Sequence, residues 1–251
     1  MVQIASPLAV MVRKFAAYTP LQQDDLEALL ALPHTVKACN PTTIVVRGGE
    51  SPRECVVLLS GFAFRYRQGP RGTRQIVGIY LPGDVLNLDG LFLDDTDENI
   101  QTMTRADVAI IPCEALRELA LSRSAVANAI IVSTQVDGSI LREWMLNIGR
   151  RDSRSRLAHF LCEFTVRLRD VGMAQGRGYQ MPMSQEHLAD ALGLTPVHVS
   201  RMLKSLEADG LIKREARWIT FPRWDALLQV AQFTSRYLHL NNRPFQEQRL
   251  V

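Results

Sequence analysis

Two short helices separated by a glycine constrain this chain more than any other sequence feature. Ser184 precedes Gln and Glu residues in a first helical turn, which is typical of a capped helix start. Gly193 follows that helix, where a left-handed backbone conformation would end it. Thr195 can cap the second helix, and Pro196 suits its first position because no N–H donor is needed there. With the small residue Ala189 at the crossing, the pattern predicts a helix-turn-helix.

The outward face of the second helix carries side chains that suit DNA. Arg201 can donate two hydrogen bonds to a guanine edge in the major groove. Val197 offers apolar contact, for example with a thymine methyl group, and His198 can meet a base edge or a phosphate. Phosphate contacts around this helix would fix the position of the protein along the duplex but would not read the base sequence. The predicted base contacts are Pro196, Val197, His198, Ser200 and Arg201, and the predicted phosphate contacts are Ser184, Gln185, Thr195, Lys204, Lys213, Arg214 and Arg217.

Strand-like runs elsewhere indicate a mixed fold. Residues 211–214 and 217–221 alternate like the two strands of a hairpin, which would make the helix-turn-helix a winged one. Between residues 43 and 112, short apolar or β-branched runs alternate with turns, which is typical of a small β-barrel or sandwich. A short helix over residues 20–32 precedes them. The predicted strands are 43–46, 56–59, 62–66, 76–80 and 108–111.

One long helix is predicted over residues 124–149. It contains no proline, and apolar residues recur every four positions on more than one face. One face can lie on the β-domain, and the other needs a partner, most simply the same helix of a second copy. A long helix packed entirely within one chain is the alternative. The predicted dimer interface consists of Ile130, Val136, Ile140, Trp144 and Ile148.

Charge and composition narrow the class of protein. Residues 1–149 carry 13 basic and 16 acidic side chains, whereas residues 150–251 carry 16 and 10. A basic carboxy-terminal half favours a polyanionic partner. No apolar run reaches the ~20 residues of a membrane helix, and no signal-peptide pattern begins the chain. With four well-separated cysteines and no CxxC pair, the sequence predicts a cytoplasmic protein without a membrane partner.

Taken in order, these segments resemble the Crp/Fnr superfamily of bacterial transcription regulators, over roughly residues 20–230. The most specific matches are GLTPVHVSR at 193–201 and LKSLEADGLI at 203–212. The resemblance implies an α+β chain with an N-terminal β-roll like a cyclic-nucleotide-binding domain, a long dimerisation helix and a C-terminal winged helix-turn-helix. It also implies a homodimer on a two-fold symmetric operator in double-stranded DNA, with RNA polymerase as a partner. The corresponding domains are residues 1–123, 124–150 and 151–251.

The chain departs from better-known members of that family at its recognition helix and its β-roll. Val197 stands where a glutamate is common and cannot accept a hydrogen bond, so their operator sequences are not expected here. In the cyclic-AMP branch an arginine holds the cyclic phosphate, whereas residues 94–99 are acidic and contain no arginine. Because these carboxylates would repel a phosphate, weak or no cyclic-AMP binding is expected. The pocket that the resemblance assigns to an effector of unknown identity would include Gly83, Asp84 and Asn99.

No cofactor, metal or enzyme activity is expected. Cys39 and Cys55 are sixteen residues apart among strand-like residues, unlike the clustered ligands of an iron–sulfur site, and all four cysteines are expected to fill core space. No histidine occurs from residue 35 to residue 158, which disfavours haem and a cupin-type metal enzyme. A β-roll small-molecule or redox sensor that acts mainly through protein contacts is the second hypothesis. The polar tail, residues 241–251, is predicted to be mobile.

Overall fold

The computed structural model describes residues 6–70, 72–174 and 178–240. The predicted mobile tail, residues 241–251, lies outside the described residues. Within the described parts, strands dominate the N-terminal half and helices the remainder, which confirms the α+β prediction.

Seven antiparallel strands form the N-terminal β-roll. They are β1 (Thr35–Cys39), β2 (Ile44–Val46), β3 (Glu54–Ser60), β4 (Ala63–Gln68), β5 (Arg74–Tyr80), β6 (Asn99–Thr102) and β7 (Ala106–Pro112). One sheet has the order β1–β7–β3 and the other the order β2–β6–β4–β5. Because side chains alternate between the two faces of a strand, Leu58, Ala63 and Val108 meet other inward residues in a shared apolar core.

Four helices surround the roll: α1 (Ala9–Tyr18), α2 (Gln23–Leu30), α3 (Cys113–Ser122) and α4 (Ser124–Arg150). The sequence had not indicated α1, which buries Met11, Val12 and Phe15. These side chains share one apolar cluster with β3, α3 and the first turns of α4. No single described helix is long and apolar enough to cross a membrane. The pair α3 and α4, which meet at a bend of 117°, is long and apolar enough by length and composition only.

The predicted dimer-interface residues of the long helix α4 face the interior of their own chain. Ile130 is buried in the cluster around α1, and Val136 is buried as well. Trp144 is buried and donates its indole N–H to both carboxylate oxygens of Glu163, at 3.0 Å each. These three residues therefore stabilise the monomer, and their assignment to the dimer interface was wrong.

Ile140 and Ile148, the other two predicted interface residues, are half-buried. Ile140 packs on the carboxy-terminal core, and Ile148 lies beside Gly193 at the end of the first recognition-motif helix. They too contact their own chain, because α4 is covered on that side by the roll at one end and by the carboxy-terminal domain at the other. The apolar residues that α4 leaves exposed are Ile131, Leu141, Met145 and Leu146.

The carboxy-terminal domain is a winged helix-turn-helix, as predicted. Its elements are α5 (Ser153–Asp170), β8 (Gly178–Gln180), α6 (Gln185–Leu192), α7 (Pro196–Ala208), β9 (Lys213–Glu215), β10 (Trp218–Thr220) and α8 (Trp224–Ala231). The wing strands β9 and β10 pair antiparallel, and β8 adds a third strand in the order β8–β10–β9. Helix α5 is buried along most of its length and packs against α7 and α8, so it supports the recognition motif from behind.

A buried polar network joins α4, α5 and the last described turn of the chain. The Glu163 carboxylate also accepts a hydrogen bond from the Tyr237 hydroxyl at 2.9 Å and lies 3.5 Å from the Arg167 guanidinium. Burial raises the pKa of Glu163, while Arg167 and the hydrogen bonds act in the opposite direction. The Tyr237 hydroxyl also lies 3.0 Å from His159 Nε2, and burial lowers the pKa of this imidazole to about 4. The network fixes α4 against α5 at the junction between the two domains.

The β-roll docks directly on the helix-turn-helix. Arg74, at the start of β5, pairs its Nε with Asp190 Oδ2 of α6 at 2.7 Å, and its guanidinium lies over the Phe64 ring at 5.1 Å. The His187 ring of α6 packs against the same phenyl ring at 5.2 Å between centroids. Burial lowers the pKa of His187, and the positive charge of Arg74 lowers it further. The β4–β5 hairpin therefore holds α6 in a defined orientation relative to the roll.

Candidate nucleic-acid interface

Capping hydrogen bonds define both helices of the recognition motif. Ser184 Oγ accepts from the His187 N–H at 3.1 Å, and His187 Nδ1 accepts from the Ser184 N–H at 3.3 Å. Gly193 ends α6 in the left-handed region, at φ 62° and ψ 40°. Thr195 Oγ1 accepts from the His198 N–H at 3.2 Å, and a proline occupies the first position of α7. The predicted caps and the glycine turn are confirmed.

The packing of α7 decides which of its side chains reach solvent. Val199, Leu203 and Leu206 are buried, and these positions lie on one face at helical spacing. Arg201 and Lys204 project from the other side and are exposed. Within the described ranges, no carboxylate pairs with either cation. The helix therefore presents free positive charge and unused hydrogen-bond donors on its outer surface.

The predicted base contacts do not all remain available. Pro196 and Val197 are exposed at the amino-terminal end of α7, with Val197 63% exposed, and Ser200 is half-buried. His198 is exposed, but its Nε2 lies 3.0 Å from the Ser153 hydroxyl at the start of α5. His198 therefore has a partner on α5 in its own chain, and its contact with DNA stays a prediction.

Two of the predicted phosphate contacts, Arg214 and Arg217, have partners within the chain. Arg214 pairs its guanidinium with Glu207 at 2.8 Å, and its backbone N–H donates to the same carboxylate at 3.0 Å. The hydrogen bonds from Arg214 hold the pKa of Glu207 below its ordinary value. Arg217 donates to the carbonyl oxygens of Pro182 at 3.0 Å and Met181 at 3.3 Å. Both guanidiniums therefore have partners within the chain, and their contacts with the DNA backbone stay a prediction.

The other predicted phosphate contacts lie in solvent. Ser184 and Gln185 stand at the exposed amino-terminal end of α6, and Thr195 stands at that of α7. Helix amino-terminal ends present free N–H groups and the positive end of the helix dipole, which favours anions. Lys213 is exposed on the wing and pairs with Glu215 at 2.6 Å, which raises the pKa of the lysine. A phosphate there would compete with that surface carboxylate.

The predicted effector residues are engaged in local structure. Asp84 Oδ2 accepts from the Leu81 N–H at 2.7 Å, and its Oδ1 pairs with Lys14 of α1. A Cβ at Gly83 would lie 2.8 Å from the Val10 carbonyl oxygen, so this turn packs closely on α1. A cavity of about 10 Å³ touches the Gly83–Asp84 turn and is too small for an organic effector.

Asn99 lies outside that cavity and accepts a hydrogen bond from the Gly48 N–H at 3.2 Å. The structure therefore does not bring the three predicted effector residues into one pocket. Both Asp84 carboxylate oxygens and the Asn99 side-chain oxygen already have partners, which are backbone N–H groups and Lys14.

Arginines neutralise part of the acidic loop that precedes β6. Arg65 lies 3.0 Å from Glu98 and 3.1 Å from Asp89, and it donates to the Leu86 carbonyl at 2.7 Å. Arg67 pairs with Asp97 at 2.8 Å. Glu98 and Asp97 are therefore paired, whereas the repulsion of a phosphate expected from Asp94 and Asp95 stays a prediction. Arg65 is thus held by two carboxylates and a backbone carbonyl and is not free to bind another anion.

Comparisons with known proteins agree with this geometry. The profile of the Crp-like helix-turn-helix domain matches residues 155–230, and that of the cyclic nucleotide-binding domain matches residues 36–123. The chain is 23% identical over 216 residues to the fumarate and nitrate reduction regulatory protein of Escherichia coli (strain K12), which covers 85% of each protein. The chain belongs to the Crp/Fnr family. As a Crp/Fnr-type regulator of transcription, it binds DNA through its helix-turn-helix.

Other Crp/Fnr proteins are similar over comparable lengths. The regulatory protein HlyX of Actinobacillus pleuropneumoniae is 24% identical over 209 residues, which cover 82% of this chain and 86% of HlyX. The structure of FixK2 from Bradyrhizobium japonicum superposes with a TM-score of 0.74 at 25% identity and covers 81% of this chain and 100% of FixK2. HlyX is by name a regulatory protein, and the fold shared with FixK2 extends through both domains.

The sequence did not indicate which residues of this Crp/Fnr regulator bind, within the chain, the side chains predicted to contact DNA. Ser153 lies 45 positions from His198, and Glu207 lies seven positions from Arg214. Asp190, which anchors α6 to the roll, lies 116 positions from Arg74. None of these pairs has a sequence signal, because each depends on how whole elements pack.

Proposed function

We propose that this regulator acts as a homodimer on a two-fold symmetric DNA operator, with α7 of each protomer in the major groove. The observation that supports this most directly is the outer face of α7, where Arg201 and Lys204 are exposed and unpaired within the described chain. A cationic helix face with a capped amino-terminal end is what major-groove recognition requires. The proposal places the protein in the cytoplasm, with RNA polymerase as its protein partner.

The second copy is proposed to bind along the exposed face of α4. Ile131, Gly138 and Met145 recur at seven-residue spacing, and Leu141 lies beside them on the next row. Ile131 is 55% and Met145 69% exposed, which is costly for apolar side chains of a monomer. Seven-residue spacing is the seam of a two-stranded coiled coil, and Gly138 in its centre allows the helices to approach closely. The face is therefore suited to the same face of a second copy.

Within each half-site, different side chains take different roles. Arg201 is proposed to read a guanine, while Val197 and Pro196 make apolar contact and Ser200 meets a base edge. Ser184, Gln185, Thr195, Lys204 and Lys213 are proposed to contact phosphates. Pairing through α4 would place the two recognition helices in successive major grooves, ~34–36 Å apart. His198, Arg214 and Arg217 contribute by supporting the motif.

Selection from a random duplex library with the purified, ligand-free protein tests this proposal. The expected result is a two-fold symmetric motif whose half-sites lie one helical turn apart. An enriched single half-site would contradict the dimer, and no enrichment by folded protein would contradict operator binding by the free protein. Affinity that falls steeply with salt concentration would support phosphate contacts over the alternative of protein contacts alone.

Replacing Arg201 with alanine is expected to weaken operator binding by ~1–3 kcal/mol and to relax specificity at one base position per half-site. The bidentate contact with guanine is lost, while the fold of α7 is kept because the side chain is exposed. Competition with operators altered at each position measures both effects. Lys204→Ala should weaken binding to all DNA sequences equally. Arg105→Ala, which removes an exposed arginine of the β-roll, should change neither the operator affinity nor the specificity.

Cyclic AMP is expected not to bind in the micromolar range. Arg65 is held by Asp89 and Glu98, and the Gly83–Asp84 turn is packed against α1. Titration of fluorescently labelled cyclic AMP, followed by anisotropy, measures this directly. Saturation at micromolar concentration that unlabelled cyclic AMP reverses would contradict it.

A further inference from the structure

Two cysteine sulfurs approach each other inside the β-roll domain. Cys55 Sγ and Cys113 Sγ are 3.0 Å apart, although 58 positions separate them in the chain. Both side chains are buried. A disulfide bond is ~2.05 Å long, so the sulfurs need to move closer by only about 1 Å. The pair lies away from the recognition motif, and the proposed DNA contacts do not involve it.

The backbone around the two residues brings their side chains together. Cys55 lies in β3 opposite Ile111 of β7, and the Cys113 N–H donates to the Arg53 carbonyl oxygen at 2.9 Å. The two segments therefore continue their antiparallel pairing up to the first residue of α3. Cys55 and Cys113 lie two positions apart in this register, on the same side of the pair of strands.

The two thiols differ in their environment. Cys113 is the first residue of α3, where the helix dipole favours a thiolate, and Arg117 lies one turn further on. The hydrogen bond with Cys55 lowers the pKa of Cys113, burial raises it, and Arg117 lowers it again, with a lowered pKa as the result. The same hydrogen bond and burial raise the pKa of Cys55. Cys113 is therefore the nucleophile of the pair, and Cys55 is the thiol that reacts second.

We propose that Cys55 and Cys113 form a reversible intramolecular disulfide when the protein meets a hydroperoxide. The Cys113 thiolate attacks the terminal oxygen of the hydroperoxide, the O–O bond breaks, and the alkoxide leaves and takes up a proton. The resulting Cys113 sulfenic acid is attacked by the sulfur of Cys55, so that the S–S bond forms and water leaves. The peroxide is reduced to an alcohol and water, the two thiols are oxidised, and a dithiol reductant reverses the change.

The disulfide would tie β3 covalently to the start of α3. Helix α3 leads directly into α4 and shares one apolar cluster with Ile130 of α4 and with α1. The disulfide would thus constrain the elements packed against the long helix α4, and it would not touch the recognition motif. Cys113 is 3% exposed, and the adjacent Pro112 and Glu114 are exposed, so the first turn of α3 is the proposed route of the peroxide to the sulfur.

The test uses the full-length reduced protein and hydrogen peroxide as the probe. After removal of peroxide, free thiols are alkylated under denaturing conditions and the peptides are mapped by mass spectrometry. The expected product joins the peptides of Cys55 and Cys113, has lost the mass of two hydrogen atoms, and disappears with dithiothreitol. Cys39 and Cys162, which are buried with no sulfur partner among the described residues, should remain alkylated as internal controls.

Variants separate the two steps. Cys55→Ser should stop at the Cys113 sulfenic acid, which dimedone traps, and Cys113→Ser should give neither product. Cys39→Ser is the matched control and should form the disulfide as the wild type does. Four alkylated cysteines in the peroxide-treated wild type would overturn the proposal. A bridge that forms only when urea is present would overturn it as well, and neither result depends on the folding of a variant.

Discussion

Met145→Glu is expected to separate the proposed homodimer into monomers and to weaken operator binding at least 100-fold. Met145 is 69% exposed on α4, so the substitution costs the folded monomer little. In a symmetric dimer it acts twice and brings two carboxylates together at the seam. Loss of the apolar burial alone corresponds to ~1.5–3 kcal/mol per protomer, before the repulsion between the two charges is counted.

Sedimentation equilibrium over a range of concentrations measures this effect. Val36→Glu is the matched control, because it places the same charge on an exposed apolar residue of β1, which is 54% exposed. The control should remain dimeric and bind operator as the wild type does. A Met145→Glu protein that sediments as a dimer with wild-type affinity would show that the second copy does not bind along this face.

Glu163→Ala is expected to destabilise the protein by ~3–5 kcal/mol, because it removes the acceptor at the centre of a buried network. Trp144 and Tyr237 would each keep a buried donor without its present partner, and Arg167 would lose its carboxylate. The truncation also leaves a cavity between α4 and α5, which adds to the cost. Urea unfolding followed by tryptophan fluorescence gives the change in free energy of unfolding.

Two substitutions calibrate the size of this effect. Tyr237→Phe removes one hydrogen bond of the same network and should cost ~1–2 kcal/mol. Glu118→Ala removes an exposed glutamate of α3 and should change the stability by less than ~0.5 kcal/mol. If Glu163→Ala costs no more than Glu118→Ala, the network does not hold the two helices together.

The recognition motif was predictable because its signals are local. The hydroxyl of Thr195 and the hydrogen bond it accepts lie within one helical turn, and Gly193 adopts its left-handed φ readily because glycine has no Cβ. Five strands of the roll were predictable for a similar reason, since each is an apolar run between turns. Strands β1 and β6 were missed because four of five β1 residues are exposed and β6 alternates with polar residues.

The direction in which α4 faces was not predictable. Its periodicity shows that more than one face is apolar, and this holds whether a face packs on α1, on α5 or on a second copy. Only the tertiary structure shows that Trp144 meets Glu163 inside the chain while Met145 lies in solvent. Three of the five residues of the predicted interface, Ile130, Val136 and Trp144, are thus buried within their own chain.

The sequence alone determined the kinds of element and the caps and turn of the helix-turn-helix, because each rests on residues within a few positions of one another. The order of those elements along the chain then indicated the family. The tertiary structure alone decided which of those residues are free to act. Arg201 and Arg214 are equivalent as cations in the sequence, yet Arg214 pairs with Glu207 whereas Arg201 lies in solvent. Likewise, Cys55 and Cys113 became a pair only when β3 and α3 met. Contacts between distant segments depend on how whole elements pack, and no local pattern encodes that geometry.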